Sequence, residues 1–204
     1  MRVTGPQPLR ERKKERTRAA IADAALRLFS ARGFDAVTLV EVADAAEVGH
    51  RTVFRYFADK EELLFGDHDV VRLRLSTALA ARPHGEPPVR AVLEAVLELA
   101  PMWQDHREQG RRRHAVIGRS PALAARERAN HRDYEDVLAE GLLARRDDRP
   151  RARLLARMGV ACFDEAVNRW FGDDDPAAPG LAGRIRQVFV DVAREFDEDA
   201  LRPH

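Results

Sequence analysis

Cysteine, lysine and long apolar runs are scarce in this chain of 204 residues. The single cysteine, Cys162, excludes a disulfide framework and a cysteine-rich zinc site, and it suits a reducing cytosol. No apolar run approaches the roughly 18 residues that a membrane-spanning helix needs, so we expect no membrane partner. Arginine supplies all but three of the 35 basic residues, and 34 acidic residues leave a net charge of +1. Bulk charge therefore does not indicate a polyanionic partner.

Sequence motifs of enzymes and of metal sites are also missing. The chain has no Gly-x-Gly-x-x-Gly, no phosphate-binding loop and no Gly-x-Ser-x-Gly. None of its seven histidines forms a His-x-x-x-His pair. We therefore expect no catalysis, no cofactor and no metal ion. Cys162 lies in an apolar helical stretch, where an inert buried thiol is expected and redox sensing stays open as an alternative.

In place of these signals, the chain shows helical periodicity almost throughout. Over residues 12–32 apolar side chains recur at spacings of three and four, and Gly33 follows where a left-handed residue ends a helix. The segment 38–41 has the pattern of a capping box, in which Thr38 accepts a backbone N–H and Glu41 reaches back. It predicts a second, short helix that runs to about residue 46.

Further helices are predicted after a three-residue turn at 47–49. The third helix covers 50–57, and Asp59 favours the start of a fourth over 60–82, in which Gly66 is expected to permit a bend. Proline and glycine break the pattern at 83–88. Later helices are predicted over 89–104, 108–117, 121–146, 151–171 and 179–201. The sequence thus predicts an all-α fold of about nine helices, three of them short and N-terminal.

Two short helices joined by a three-residue turn are typical of a helix-turn-helix, whose second helix enters the major groove of DNA. Here Arg51 can donate two hydrogen bonds to guanine. Thr52 can contact a thymine methyl group or a phosphate. Arg55, Tyr56 and Lys60 are placed for backbone phosphates, which position the protein without specifying sequence.

The distribution of charge agrees with this interpretation better than the net charge does. Residues 1–20 hold seven basic side chains against two acidic ones, and residues 48–60 hold three against one. The intervening residues 21–47 hold two against five. Basic arms are also common as solvated tails, however, and short helix pairs occur in many helical proteins. Charge and spacing alone leave DNA binding and an ordinary helical bundle equally open.

A family resemblance favours DNA binding. Residues 38–64, TLVEVADAAEVGHRTVFRYFADKEELL, are similar to the DNA-binding region of TetR-type transcriptional repressors, and so are residues 21–34, IADAALRLFSARGF. The most specific part is 52–61, and the resemblance covers about 12–66. It implies a homodimer that binds a palindromic operator in double-stranded DNA. The positions it assigns to DNA contact are Thr38, Gly49, His50, Arg51, Thr52, Phe54, Arg55, Tyr56 and Lys60.

Two residues of the turn depart from the family pattern. Glu47 stands where the family usually has glycine, and a side chain in a left-handed conformation costs ~1 kcal/mol. Gly49 stands where serine is frequent; glycine caps a helix acceptably but offers no side chain to a phosphate. Within the resemblance, Thr38 and Lys60 would clamp phosphate, whereas Val53 and Phe57 would belong to the core.

The C-terminal half carries a weaker resemblance. Residues 82–88 and 120–127 look similar to an actinobacterial subgroup that includes regulators associated with mycofactocin and with acyl-CoA-like ligands. This implies a small effector, either an acyl-CoA or another elongated apolar molecule, whose binding releases DNA. Side chains that could line its pocket, or that could equally be ordinary core, are Met102, Trp103, Ile117, Tyr134, Phe163 and Trp170.

The expected organisation follows from both resemblances. Residues 1–11 form a flexible basic arm, 12–66 the DNA-binding domain with its motif at about 38–57, and 67–204 a domain for ligand binding and dimerisation. The apolar stripe of 181–192 could face a second subunit or its own core. The expected location is the cytoplasm, associated with the nucleoid. The competing interpretations are a DNA-binding protein without a ligand, and a helical carrier or enzyme for acyl compounds without a DNA-binding role.

Overall fold

The computed structural model describes residues 9–145, 148–175 and 177–195, and every regular element within these ranges is an α-helix. Nine of the eleven helices have seven residues or more, which agrees with the predicted all-α fold of about nine helices. The helices are α1 Leu9–Arg32, α2 Leu39–Ala45, α3 His50–Tyr56, α4 Glu62–Phe65, α5 His68–Ala80, α6 Pro88–Leu97, α7 Ala100–Gln104, α8 Arg107–Gly118, α9 Pro121–Ala144, α10 Arg149–Gly172 and α11 Leu181–Glu195.

The chain forms two compact units. The first unit comprises the described residues up to Gly66 together with 111–127, and the second comprises 67–110 and the described residues from 128 onward. The helices α8 and α9 therefore contribute to both units, whereas the sequence suggested two consecutive segments. Residues 9–11 of the proposed flexible arm form the start of α1, and residues 1–8 lie outside the described part of the chain.

The first unit has its own apolar core. Ile21 and Phe29 of α1 and Val53 of α3 are fully buried in it. The expected left-handed residue is confirmed at Gly33, whose φ is +85° and whose amide donates to the Phe29 carbonyl at 2.9 Å. This turn brings Phe34 edge-on to Phe29, with ring centroids 5.0 Å apart. The core thus locks the end of α1 against the helices that follow it.

The single helix predicted over 60–82 is wrong, because the chain forms α4, a turn at 66–67, and then α5. Polar contacts lie at both ends of α4: at its start the Asp59 carboxylate accepts from the Glu62 amide at 2.7 Å, and after its last residue Arg18 donates to the Gly66 carbonyl at 3.0 Å. Gly66 has a φ of −66°, which any residue adopts. A Cβ atom there would lie 2.5 Å from the Arg18 Nη2 atom. Glycine therefore leaves room for the Arg18 guanidinium, and the chain turns at the position where the bend was expected.

The helix predicted over 89–104 is also interrupted. The structure divides it into α6 and α7 between Leu97 and Ala100. Pro101, in the first turn of α7, has no N–H to donate to the carbonyl four residues earlier, so the hydrogen-bond ladder cannot continue. The last helix is described as far as Glu195, and the rest of its predicted range lies outside the described residues.

The second unit packs α5, α6, α10 and α11 around a second core. Gly159 of α10 lies so near α6 that a Cβ atom would be 2.4 Å from Val92 Cγ1. The apolar stripe of α11 faces this core: its buried members are Leu181, Ile185, Val188 and Phe189. The sequence left open whether this stripe faces a second subunit or the core of its own chain, and the structure places it in the core of its own chain.

Candidate nucleic-acid interface

The capping box at the start of α2 is confirmed. The Thr38 Oγ1 atom accepts from the Glu41 amide at 3.3 Å, and the Thr38 amide donates to Glu41 Oε2 at 2.7 Å. Arg32 of α1 donates to Glu41 Oε1 at 2.6 Å. Chiefly through the Thr38 backbone hydrogen bond, and next through Arg32, these contacts lower the pKa of Glu41 from its ordinary 4.5 to about 2. The carboxylate therefore ties α2 to the end of α1.

A pH-dependent contribution to stability follows from this carboxylate. Because the pKa of Glu41 is lower in the folded chain, its contribution is complete above pH 4.5 and is lost as the pH falls to about 2. We expect Glu41→Gln to lower the urea midpoint above pH 4.5, and the difference from wild type to disappear as the pH falls through about 2. Glu61→Gln, outside the capping box, is the control. A difference that persists unchanged at the lower pH would contradict the assignment.

The turn between α2 and α3 keeps the geometry of a helix-turn-helix although its usual glycine is absent. Glu47 adopts a φ of +53°, the left-handed conformation that the resemblance to the family predicted to be costly. The Val48 amide still donates to the Ala43 carbonyl at 3.0 Å. The turn therefore carries backbone strain at one position and retains its hydrogen bonds.

Relief of this strain should stabilise the protein. We expect Glu47→Gly to raise the free energy of unfolding by up to ~1 kcal/mol, because glycine adopts positive φ without a steric penalty. Glu61→Gly is the matched control, because Glu61 has a φ of −65° and carries no such strain. This substitution should destabilise the protein, since glycine there only increases the conformational entropy of the unfolded chain. Urea unfolding followed by far-UV circular dichroism measures both. Destabilisation by both substitutions to the same extent would contradict strain at Glu47.

The helix α3 has one face in the core and one face in solvent. Val53 and Phe57, the residue that ends the helix, are buried. Phe54 has 60% of its surface exposed, and Arg51 and Arg55 are exposed as well. Because the buried pair fixes the rotation of the helix, the outward face presents its side chains in a defined direction.

The remaining positions assigned to this interface surround that face. Gly49 is the N-cap of α3 in extended conformation, without a side-chain cap. His50 is exposed, with its Nε2 atom 3.5 Å from Asp44 Oδ1. Thr52 is half-buried, and Tyr56 is half-buried with the Arg55 guanidinium 5.2 Å from its ring centroid. Arg51, Phe54 and Arg55 are thus the most accessible members of the set.

Lys60 and Thr38 also make contacts within the first unit that were not predicted from the sequence. The Lys60 Nζ atom donates to the Phe34 carbonyl at 2.5 Å and lies 4.3 Å from the centroid of the Phe34 ring. The Thr38 hydroxyl also donates to Glu41 Oε2 at 2.8 Å. Both side chains therefore stabilise the loops on either side of the helix pair.

Five of the six candidate ligand residues lie in the second unit. Met102, Trp103, Tyr134 and Phe163 are partly buried against its core, and the rings of Trp103 and Phe163 are 4.9 Å apart. Trp170 is buried. The Tyr134 hydroxyl is 3.1 Å from His68 Nδ1, and the Trp170 carbonyl accepts from Arg107 at 2.7 Å.

Ile117 is separated from the other five. It is buried in the core of the first unit, together with Val116 of α8 and Leu123 of α9. The sequence could not reveal this, because the apolar spacing of α8 is the same whichever core the helix joins. Ile117 is therefore a core residue of the unit that carries α3.

The thiol of Cys162 and the potential metal ligands are further groups of this chain that could carry chemistry. Cys162 is buried, and burial raises the pKa of its thiol, so the reactive thiolate is disfavoured. Within the part of the chain that the structure describes, no cluster of three or more His, Cys, Asp or Glu side chains could hold a metal ion. Among those same residues, no helix is long and apolar enough to span a membrane.

Comparison with known proteins assigns both parts of the chain. Residues 21–66 match the family described as bacterial regulatory proteins, tetR family, and residues 86–197 match the MftR C-terminal domain. The regulator TcmR of Streptomyces glaucescens is 30% identical over 96% of this chain and 91% of its own length. MftR of Mycobacterium tuberculosis, described as a putative regulator of mycofactocin biosynthesis, is 31% identical over 87% of this chain and 91% of its own.

Solved structures share the fold. NalD of Pseudomonas aeruginosa, a repressor of a multidrug efflux pump, has a TM-score of 0.63 at 21% identity, covering 91% of this chain and 99% of NalD. FadR of Bacillus subtilis, solved with stearoyl-CoA, has a TM-score of 0.61 at 16% identity, covering 84% and 95%. The chain belongs to the TetR family of bacterial transcriptional regulators, whose members bind DNA as dimers and respond to small molecules, and its C-terminal half is a domain of the MftR type.

Proposed function

We propose that this regulator is a repressor that binds a palindromic operator as a homodimer and releases it when an apolar effector binds. The observation that carries the DNA contact is the division of α3 into two faces. Val53 and Phe57 hold the helix in the core, and Arg51, Phe54 and Arg55 extend from it into solvent. A short helix fixed in this way can enter the major groove with its N-terminal residues toward the bases.

The exposed residues of α3 have distinct roles in this proposal. Arg51, at the second position of the helix, donates two hydrogen bonds to guanine O6 and N7. Phe54 contacts a thymine methyl group, and Arg55 binds a backbone phosphate. The exposed start of α1 adds attraction that is independent of sequence, through Arg10, Arg12, Lys13, Lys14 and Arg16. The regulator would act in the cytoplasm, where chromosomal DNA is accessible.

We propose that α10 and α11 form the dimer interface through their outward faces. Leu154 on α10 and Val190 on α11 have 67% and 43% of their surfaces exposed, although both are large and apolar. Leu154→Glu with Val190→Glu should convert the dimer to a monomer in analytical ultracentrifugation. Val89→Glu, which alters an equally exposed valine on α6, is the control. A dimer that survives the double substitution would reject this interface.

The effector would bind in the second unit, near Trp103 and Phe163. Their paired rings and the neighbouring Met102 present apolar surface, and Tyr134 supplies a hydroxyl. Aromatic and apolar side chains with a few polar groups are the usual lining of sites for small molecules. Together with the resemblance of the C-terminal half to regulators associated with acyl-CoA-like ligands, this supports an acyl-CoA or another elongated apolar ligand.

A DNA selection experiment tests the proposal. The purified protein is mixed with a library of random duplexes, and bound DNA is sequenced after several rounds. We expect two inverted half-sites about one helical turn apart. Release of the selected duplex is then measured with palmitoyl-CoA, palmitate and coenzyme A. Release by palmitoyl-CoA alone would support an acyl-CoA effector. Release by none would reject that effector class, and selection of no common sequence would reject operator binding.

A further inference from the structure

Arg18 of α1 contacts the segment that follows the recognition helix α3. Its Nη1 atom donates to the Tyr56 carbonyl at 3.3 Å, and its Nη2 atom donates to Glu62 Oε1 at 3.3 Å and to the Gly66 carbonyl at 3.0 Å. The guanidinium carbon lies 4.8 Å from the centroid of the Phe57 ring. One side chain thus joins three helices of the first unit.

The acceptors of Arg18 lie at the ends of helices α3 and α4. Tyr56 is the last residue of α3, Phe57 is its C-cap, and Gly66 directly follows α4. Carbonyl groups at helix C-termini carry partial negative charge, and the planar guanidinium offers several donors in a fixed arrangement. Glu62, which Arg18 also contacts, accepts from the Ala58 amide at 2.6 Å through its other oxygen. Arg18 is therefore connected to both ends of the segment 57–66.

At the opposite end of α3 the contact is a single one, between His50 Nε2 and Asp44 Oδ1 of α2 at 3.5 Å, and both side chains are exposed. Gly49 provides no side-chain cap, and the helix has only seven residues. These contacts of Arg18 could not be predicted from the sequence. Two of its three acceptors are backbone carbonyls, which every residue type carries. The space for the guanidinium depends on Gly66, where a Cβ atom would approach Nη2 to 2.5 Å.

We propose that Arg18 is a positioning residue for DNA recognition: it holds the C-terminal end of α3 against α1, and so sets the angle at which Arg51 and Phe54 meet the bases. Three of the five N–H donors of its guanidinium are directed at protein acceptors, and in this proposal it acts through α3 and not through a phosphate. The proposal rests on the DNA-binding function described above. It adds a residue outside the helix pair to the determinants of sequence specificity.

The first test compares Arg18→Ala with Arg27→Ala, which removes the same charge from α1 at a residue paired with Asp23 on its own helix. Each variant is titrated at several salt concentrations with the duplex selected by wild type and with a scrambled duplex. For Arg18→Ala we expect at least about a tenfold loss on the selected duplex and less than about twofold on the scrambled one. The salt slope should stay unchanged, whereas removal of a charge that neutralises a phosphate would reduce it by about 0.9. Arg27→Ala should resemble wild type.

Two further variants keep the proposal testable if Arg18→Ala folds poorly. Arg18→Lys retains the charge without the planar donor set, so it should not restore specificity. Gly66→Ala displaces the guanidinium and should reproduce the selective loss. Amide hydrogen exchange without DNA should be faster over 57–62 in all Arg18 and Gly66 variants than in Arg27→Ala, and the rest of the first unit should be unchanged.

Several results would overturn the proposal. Equal losses on both duplexes, a reduced salt slope, full recovery with lysine, or wild-type behaviour of Gly66→Ala would each contradict a positioning role. If wild type selects no DNA sequence, operator binding fails. The exchange experiment still decides the role of Arg18 in that case, because unchanged exchange over 57–62 would show that Arg18 does not hold the end of α3.

Discussion

Arg51→Ala should weaken binding to the operator by about 1–3 kcal/mol per half-site, roughly 5- to 150-fold, and relax the preference at one base pair. Arg51 is exposed at the second position of α3, and the buried Val53 fixes the rotation of that helix. Alanine removes both donors to guanine and leaves the fold of the unit intact. Titration with the selected duplex and with all four base pairs at each half-site position measures the effect.

Arg55→Ala is the matched control for Arg51→Ala. It removes the same charge from the same helix, at a position assigned to the phosphate backbone. We expect a similar reduction of affinity on every duplex, and a salt slope that falls by about 0.9 for each phosphate that the variant no longer neutralises. If Arg51→Ala behaved in the same way, with equal reductions on all sequences, Arg51 would bind phosphate and direct base recognition would be rejected.

Phe29→Ala should lower the free energy of unfolding of the first unit by about 3–5 kcal/mol. Phe29 is 1% exposed, packs edge-on against Phe34, and has the Lys60 ammonium 5.7 Å from its ring centroid. Removal of the ring leaves a cavity in the core of the first unit. It also abolishes the edge-on contact with Phe34 and the contact with the Lys60 ammonium. Phe29→Leu, which leaves a smaller void, should cost less.

Two optical probes make this experiment specific to one unit. Both tryptophans, Trp103 and Trp170, lie in the second unit, so their fluorescence reports its unfolding. Far-UV circular dichroism reports helices of both units. We expect Phe29→Ala to shift the dichroism transition to lower urea, and coincidence of the two probes shows whether the units unfold together. A loss below about 1 kcal/mol would contradict the central packing of Phe29.

Local features were predicted from sequence because they depend on residues close together in the chain. The capping box of Thr38 and Glu41 and the left-handed Gly33 are confirmed. The strained turn at Glu47 followed from the departure of one residue from a family pattern. The all-α fold and the family itself were also predicted, since amphipathic spacing and the motif at 52–61 are written directly in the residues.

The tertiary structure decided what depends on residues distant in sequence. The helix is interrupted after α4 partly because Arg18, 48 residues earlier in the chain, donates a hydrogen bond to the Gly66 carbonyl. Ile117 joins the core of the first unit, and the stripe of α11 joins the core of the second, although their apolar spacing permits other partners. Periodicity shows that a helix face is buried, and it contains no information about the surface that covers it. That surface is determined only when packing and long-range hydrogen bonds select one arrangement of the helices.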